Sequence, residues 1–482
     1  MMKKVVGSLL VLSLILLPMA ASADLGQVVG AKDIEIKMMG ALKTLPMFVD
    51  NPDFNSKDTN LDRILDENGW MSDHDIRMEA RVGWMATAKD WDFMMILEAD
   101  FNVNKANVDR QTGVNNVNAA AWNPNAITAN SDTFGIEKIN FGYDFGPMKL
   151  NAGWNTKFVD LMTGGLIYAD DHPYLGLAGK FGAKNVWEVL YLTVQDDISG
   201  TNGFWDGDTL DWRAYTARVG FNVNGFNVAP IYAYSDNNMR EAQTHYLGVE
   251  GFGTTGIFTP RFELVYAVGN KDTHVAGKKV EYDISAFAAY ASLDIAISKA
   301  LVPYFGGYYL SGDDDKNDKD INAYNGIAMN QRYTPTFGME NAFIYKFVPA
   351  LGSFLYENGF QNLGTQAGYG GSSNGQCADA PGLIMLGAGL KGAINEQLDY
   401  KTQLMYFAIA EENNFKKIGT TKNVDKEVGW EYDLQLTYKF NSHFSLGNVV
   451  SVFLPSDFVE DYRGKDYDSM AFMDTIEMNW AF

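Results

Sequence analysis

Trp430-Glu431-Tyr432-Asp433-Leu434-Gln435-Leu436-Thr437-Tyr438-Lys439-Phe440 is apolar or aromatic at every even position and ionisable or polar at every odd one. Successive side chains of a strand point to opposite faces, so this stretch reads as a strand with one greasy and one wet side. The same split recurs in Trp91–Asn104, where Trp91, Phe93, Met95, Leu97, Ala99, Phe101 and Val103 oppose a face dominated by Asp92, Glu98, Asp100, Asn102 and Asn104. Asp75–Trp84 repeats it, with Ile76, Met78, Ala80, Val82 and Trp84 against Asp75, Arg77, Glu79 and Arg81. Alternation alone does not separate a soluble sandwich from a membrane barrel. Length does: these runs reach about 10–13 residues, where soluble strands average five or six and about 9–11 tilted residues cross a bilayer. Aromatic residues end the apolar faces, as Trp91 and Phe101 or Trp430 and Phe440 do, and such rings belong at the headgroup level.

Working outward, connections alternate between tight and long. Lys89-Asp90, Phe145-Gly146-Pro147, Asn224-Gly225, Thr254-Thr255-Gly256 and Asn441-Ser442 are hairpin turns. Longer polar stretches occupy 45–71, 105–132, 198–209, 312–331, 411–427 and 455–467. Short periplasmic turns and long external loops are the asymmetry of a transmembrane barrel, and closure is required because lipid leaves no partner for an unpaired edge. The fold expected is all-β: a membrane-spanning antiparallel up-and-down barrel of about 18–20 strands. Roughly 19 strand candidates run from 33–44 to 468–482, one of them at 332–347, and the parity break this creates falls within 348–381. Two irregularities are expected: a phase slip near Tyr215-Thr216, and a bulge near Met473 that would turn Asp474 away from lipid.

The ends of the chain agree. Lys3 and Lys4, the apolar Val5–Leu17, Pro18 and Ala21-Ser22-Ala23 form a cleavable export signal, dividing the chain into residues 1–23 and a single barrel domain at 24–482. At the other end Ile476, Met478, Trp480 and Phe482 share one face; this resembles the C-terminal signature by which the barrel-assembly machinery recognises outer-membrane barrels of Gram-negative bacteria. A likeness to Gram-negative porins spans the whole mature chain. It implies residence in the outer membrane among lipid and lipopolysaccharide.

Composition excludes much else. The 482 residues carry 38 Lys+Arg against 60 Asp+Glu, and loss of Lys3 and Lys4 with the leader leaves a charge of −24, so nucleic acid is not a partner. The single cysteine, Cys377, rules out a disulfide framework or a cysteine-ligated cluster. His74, His172, His245, His274 and His443 show no ligand spacing, and the neighbouring pairs Ser72/His74 and Ser442/His443 are weak grounds for hydrolase chemistry. No catalytic site, metal or cofactor is expected.

The wet faces carry the functional candidates. Arg77, Glu79, Arg81, Asp92, Glu98, Asp100, Lys149, Arg261, Glu263, Glu281, Asp283, Asp399, Lys401, Glu431 and Asp433 are expected to line the pore. Arg77 and Arg81, opposed by carboxylates, suggest a transverse field at a constriction, and the acidic balance points to cation preference. Asp58–Glu67 has helical character and is a candidate constriction or rim helix. The acidic run Ser311–Asp320 lacks the mid-loop Gly and final Glu of an EF-hand, and reads as a solvated loop or a divalent-ion bridge to lipopolysaccharide. Ser311-Gly312-Asp313-Asp314 leaving a strand also resembles the alginate-export type of outer-membrane porin, which implies a monomeric 18-stranded polysaccharide conduit; that family's arginine-rich lumen differs from the net acidic one here. The function expected is passive diffusion of small hydrophilic solutes. The alternatives are a barrel sleeve around a multihaem cytochrome, with a periplasmic or cytochrome partner supplying every haem, polysaccharide export, or adhesion through the loops.

Overall fold

In a computed structural model, residues 33–51, 54, 74–102, 133–160, 162–195, 211–238, 241–275, 278–315, 317–329 and 381–482 are described. The export signal, the Asp58–Glu67 helix, the 332–347 strand and Cys377 lie outside them.

The strands are β1 (Glu35–Asp50), β2 (His74–Thr87), β3 (Trp91–Asn102), β4 (Thr133–Asp144), β5 (Met148–Phe158), β6 (Ala169–Phe181), β7 (Asn185–Gln195), β8 (Trp212–Val223), β9 (Phe226–Asn237), β10 (Ala242–Gly253), β11 (Phe258–Val275), β12 (Lys278–Ile295), β13 (Val302–Leu310), β14 (Asp320–Ile321), β15 (Leu383–Ala393), β16 (Leu398–Ala408), β17 (Glu427–Lys439), β18 (Phe444–Pro455) and β19 (Ala471–Ala481). Each pairs antiparallel with its sequence neighbour, and β19 closes on β1. β14 stands apart: two residues paired in parallel with β12, while β13 bonds directly to β15. The wall is therefore a closed antiparallel barrel of 18 strands. Both edges of β13 and of β15 are taken, so the described wall closes with an even number of strands; the expected 332–347 strand falls outside the described residues.

The closing seam is explicit. Gly40 and Phe482 exchange backbone bonds of 3.1 and 3.0 Å, and the Phe482 ring lies on Gly40, where a Cβ would collide with it. The Asn224-Gly225 hairpin has both residues at positive φ, 53° and 90°, the mirror-image turn whose twist matches the strands.

Polarity is inverted relative to a soluble sheet. Leu247, Tyr266, Leu386 and Leu404 point outward and stay exposed, while Glu250, Glu263, Gln403, Glu431, Asp433 and Ser451 are buried inside. Aromatic pairs gather near the two ends of the strands. One set is Tyr191–Tyr215, Tyr234–His245 and Tyr406–Trp430; the other is Phe181–Phe221, Tyr438–Phe440 and Phe444–Trp480. Trp430 and Phe440 of the two sets are ten residues apart along one run, roughly 33 Å of strand, or ~25 Å of height at a tilt near 40°, the height of a hydrocarbon band.

Two expected irregularities are absent. β8 keeps one phase: Trp212, Ala214, Thr216 and Arg218 point inward, and Tyr215, Ala217, Val219 and Phe221 outward. β19 has no bulge at Met473; Asp474 stays on the outer face and accepts Asn448 Nδ2 at 2.6 Å. The register shifts that do occur lie at Ile96/Leu97, Thr193/Gln195 and Phe407/Ala408. At the first, Glu137 is skipped in the ladder between β3 and β4, beside Lys138. The stretch 455–467, expected as loop, contains the short helix α1 (Asp457–Arg463), which buries Phe458 and Val459.

Candidate functional site

The lumen has two unlike sides. From β8 round to β19, the half towards the long loops is packed. Trp212, Tyr246, Tyr290, Tyr308, Phe407 and Phe453 face inward and share a core with Leu166, Ile167, Tyr168, Tyr324 and Ile327. Those last five come from two connections that leave the wall, 159–168 after β5 and 321–328 after β14. They bond to each other, with the Ile327 and Ala328 amides donating to Ile167 O at 2.9 and 3.2 Å and the Ala169 amide to Ala328 O at 2.8 Å. The Tyr324 hydroxyl adds a bond between them, to Leu166 O, and the wall holds both: the Tyr246 hydroxyl donates to Asn325 O and the Tyr308 hydroxyl to Gly164 O.

The tip of 159–168 is pinned by carboxyl groups. Thr163 Oγ1 lies 2.8 Å from Glu250 Oε2 and 2.9 Å from Glu263 Oε2, and the Gly164 amide donates to Glu263 Oε2 at 2.8 Å. A hydroxyl has one proton to give, so Thr163 cannot donate a full hydrogen bond to both carboxyl groups at once. Arg218 donates to Glu250 Oε1 through Nε at 2.7 Å and through a second nitrogen. Glu263 is fully buried, and its Oε1 has no hydrogen-bond partner among the described residues. Asp160, within the segment, accepts the Ile167 amide at 2.5 Å and the Tyr168 amide at 3.3 Å. Burial pushes its carboxyl above the usual range, against the pull of the neighbouring Glu263 carboxyl and of those amides.

β10 and β11 lie about half a turn of the barrel from β2, where the opposing group is water-accessible. Arg81 reaches Glu98 at 2.5 Å, Glu79 at 3.0 Å and Glu137 at 3.1 Å; Lys138 lies 4.0 Å from Glu137 and donates to Thr156 Oγ1 at 2.7 Å. Two cations thus face three carboxylates. Further down this wall Lys149 pairs with Asp92, and Lys157 sits 4.0 Å over the Tyr174 ring.

The expected pore residues sort accordingly. Glu79, Arg81, Asp92, Glu98 and Lys149 belong to the accessible wall. Arg77 and Asp100 take the inward register on β2 and β3, but their side chains lie outside the described residues. Arg261 and Lys391 share Asp294, each at 3.0 Å, with Lys401 close enough to feel both partners of that second pair; Asp399 pairs with Lys439 near the tight turns. Glu263, Glu431 and Asp433 are buried; Asp433 accepts Gln403 Nε2 and Ser451 Oγ at 2.6 and 2.5 Å. Glu281 and Asp283 are misplaced. They alternate with the inward Tyr282 and Ile284 and share the outward face of exposed Phe287. β11 and β12 are 18 residues long, so their upper parts rise beyond the hydrocarbon band. There water is outside and packed chain inside, and the rule that charge points inward reverses.

Sequence reasoning also missed Glu137, Lys138, Asp160, Thr163, Arg218, Glu250, Asp294 and Lys391. Adjacent Glu137-Lys138 breaking an alternation was the legible sign of the bulge; the assumed slip in β8 concealed Arg218. The Ser311–Asp320 run is more ordered than a solvated loop. Asp313 is buried and accepts the Asn322 and Asp315 amides at 2.9 and 3.2 Å, with Asn414 Nδ2 on its carbonyl, and burial lifts its carboxyl to about 6. Among the described residues, no three His, Cys, Asp or Glu side chains group as metal ligands. His443 Nδ1 lies 2.9 Å from Ala481 O, tying the turn between β17 and β18 to the end of β19. Ile476 and Trp480 are exposed on β19, opposite the buried Thr475 and Glu477.

Solved structures share this architecture. The chain aligns with OccK2 (OpdF) of Pseudomonas aeruginosa at 10% identity and a TM-score of 0.50, covering 94% of this chain and 98% of that one. OccAB3 of Acinetobacter baumannii aligns at 9% identity and a TM-score of 0.50, covering 93% and 99%. At such identity the likeness concerns the fold: a closed barrel of the outer-membrane porin kind. No family model matches the chain, and no curated protein matches it. Nothing in these comparisons extends the resemblance of Ser311–Asp314 to the alginate-export type.

Proposed function

We propose that this protein is an outer-membrane channel through which small hydrophilic solutes diffuse passively, with preference for cations. The tight turns then face the periplasm, the long loops face outward, and residues 1–23 direct export. The observation that carries the reading is the two-sided lumen. The tip of 159–168 is fixed against β10 and β11 at mid-height, and the wall opposite presents accessible charge with a carboxylate surplus around Arg81. A narrowed passage lined by such a cluster favours entry of cations, because low-dielectric walls focus the field. A cytochrome sleeve fits poorly, since 159–168 and 321–328 occupy the space a haem chain needs.

Planar-bilayer recording of the purified full chain tests this. Stepwise conductance, with a reversal potential in a KCl gradient of the sign set by K⁺, is expected. Silent bilayers, or a reversal potential set by Cl⁻, would overturn it.

A further inference from the structure

Where 159–168 is pinned, three carboxyl groups meet one cation. Asp160 belongs to the segment, Glu250 to β10 and Glu263 to β11, and all three are buried. Arg218 of β8 is bonded to Glu250. The other titratable neighbours carry no compensating charge: Tyr290 of β12 packs against Gly164 with its hydroxyl 2.6 Å from Ser292 Oγ, and Tyr308 of β13 donates to Gly164 O at 3.2 Å. Arg261, two residues before Glu263, is paired with Asp294 at 3.0 Å. Among the described residues neither Asp160 nor Glu263 has an ion-pair partner. These two carboxyl groups are instead in side-chain hydrogen-bonding contact with each other, a contact that two carboxylates cannot make without a proton between them.

We infer that Glu263 is a proton-binding site, and that the proton it donates to Asp160 locks 159–168 inside the lumen. Asp160 is the acceptor because it already takes the Ile167 and Tyr168 amides at 2.5 and 3.3 Å, the pattern of an ionised carboxylate. Placed on Glu263 Oε1, the proton makes a donor of a buried oxygen that otherwise has no hydrogen-bond partner among the described residues. A metal ion is the poorer occupant, since no three His, Cys, Asp or Glu side chains among the described residues group as ligands. Loss of the proton sets three carboxylates against one guanidinium in a site closed to water, and release of the segment relieves the repulsion. The pinned segment therefore holds one proton more than the released one, whose Glu263 meets water. Pinning is strongest at low pH and weakens by up to tenfold per pH unit above the ordinary glutamate range, until the pinned site itself ionises.

The test is hydrogen exchange of the full chain in detergent, corrected for intrinsic rates, between about pH 6 and about pH 8. That range lies above the one in which Asp313 titrates. Protection of the Gly164, Ile167 and Tyr168 amides should fall roughly tenfold per pH unit in the wild type, while the β16–β18 ladder stays level. Glu263→Gln carries a permanent donor and no titratable proton, so protection of 159–168 should hold constant over the range. Heat-modifiable gel migration reports whether the variant is folded. The wild-type slope alone tests the lock, and the variant assigns it to Glu263. Added calcium at fixed pH should change nothing. Level protection of 159–168 in the wild type, an equal slope in the ladder, a slope retained by folded Glu263→Gln, or protection that follows calcium would each overturn the inference. None of these readouts requires the barrel to conduct, so the lock and the channel function proposed above fail separately.

Discussion

Replacing Thr163 by Val is the sharpest probe of the pinned segment, because it exchanges a hydroxyl for a methyl group at nearly constant volume. Two contacts are lost, 2.8 Å to Glu250 and 2.9 Å to Glu263, both to buried carboxyl groups. Hydrogen bonds to charged or strongly polar buried partners contribute about 1.5 kcal/mol each at the low end, so local opening of 159–168 becomes easier by about 3 kcal/mol. Each 1.4 kcal/mol is tenfold, which puts the gain in the open population on the order of 100-fold. Hydrogen exchange read by mass spectrometry on detergent-solubilised protein is the assay. Peptides covering the Gly164 and Ile167 amides, which donate to Glu263 and Asp160, should lose protection by that factor. Peptides from the β16–β18 ladder should not change. Thr163→Ser keeps the hydroxyl and should resemble wild type. Less than threefold loss in 159–168, or an equal loss in the ladder, would refute the reasoning, since either shows that the hydroxyl is not what fixes the segment.

Other outcomes follow from the same geometry. Arg81→Gln removes the cation that Glu79, Glu98 and Glu137 share; the cation-to-anion permeability ratio should rise roughly severalfold at 0.1 M salt and less at 1 M, where the screening length falls to about 3 Å. For Asp313, the folded carboxyl sits near 6 against an ordinary 3.8. The folded loop therefore binds more protons between those values, and its stability falls as pH rises from about 4 to 6 and is level above. Exchange protection of 317–329, corrected for intrinsic rates, should follow that curve, and Asp313→Asn should flatten it. Gly40→Val puts a branched side chain where the Phe482 ring lies; folded, heat-modifiable barrel should become scarce, and Phe482→Ala in the same chain should restore part of it.

The barrel was legible because lipid imposes a simple rule, apolar outward at every second residue over about ten residues. Trp430–Phe440 and Trp91–Phe101 obey it without exception. The rule fails where its premise fails. Above the hydrocarbon band Glu281 and Asp283 meet water outside and Tyr282 and Ile284 meet packed chain inside, so reading charge as inward put them on the wrong face. The apparent slip in β8 has the same origin: Trp212 and Ala214 are inward because the interior is packed there, not because the register moves. Asp160 and Thr163 were hidden for another reason. A short connection between two strands carries no periodicity, and its turn into the lumen is decided by Glu250 and Glu263, about 90–100 residues away in sequence.

Because the interior fill leans on one arc of the wall, the channel function proposed above would divide stability and traffic between different strands. Substitutions on β2 to β5 can re-tune what passes without disturbing the packed arc that keeps the barrel rigid. A lineage, or a protein engineer, therefore has a tolerant surface for altering cargo and a separate conservative one that keeps the vessel in shape.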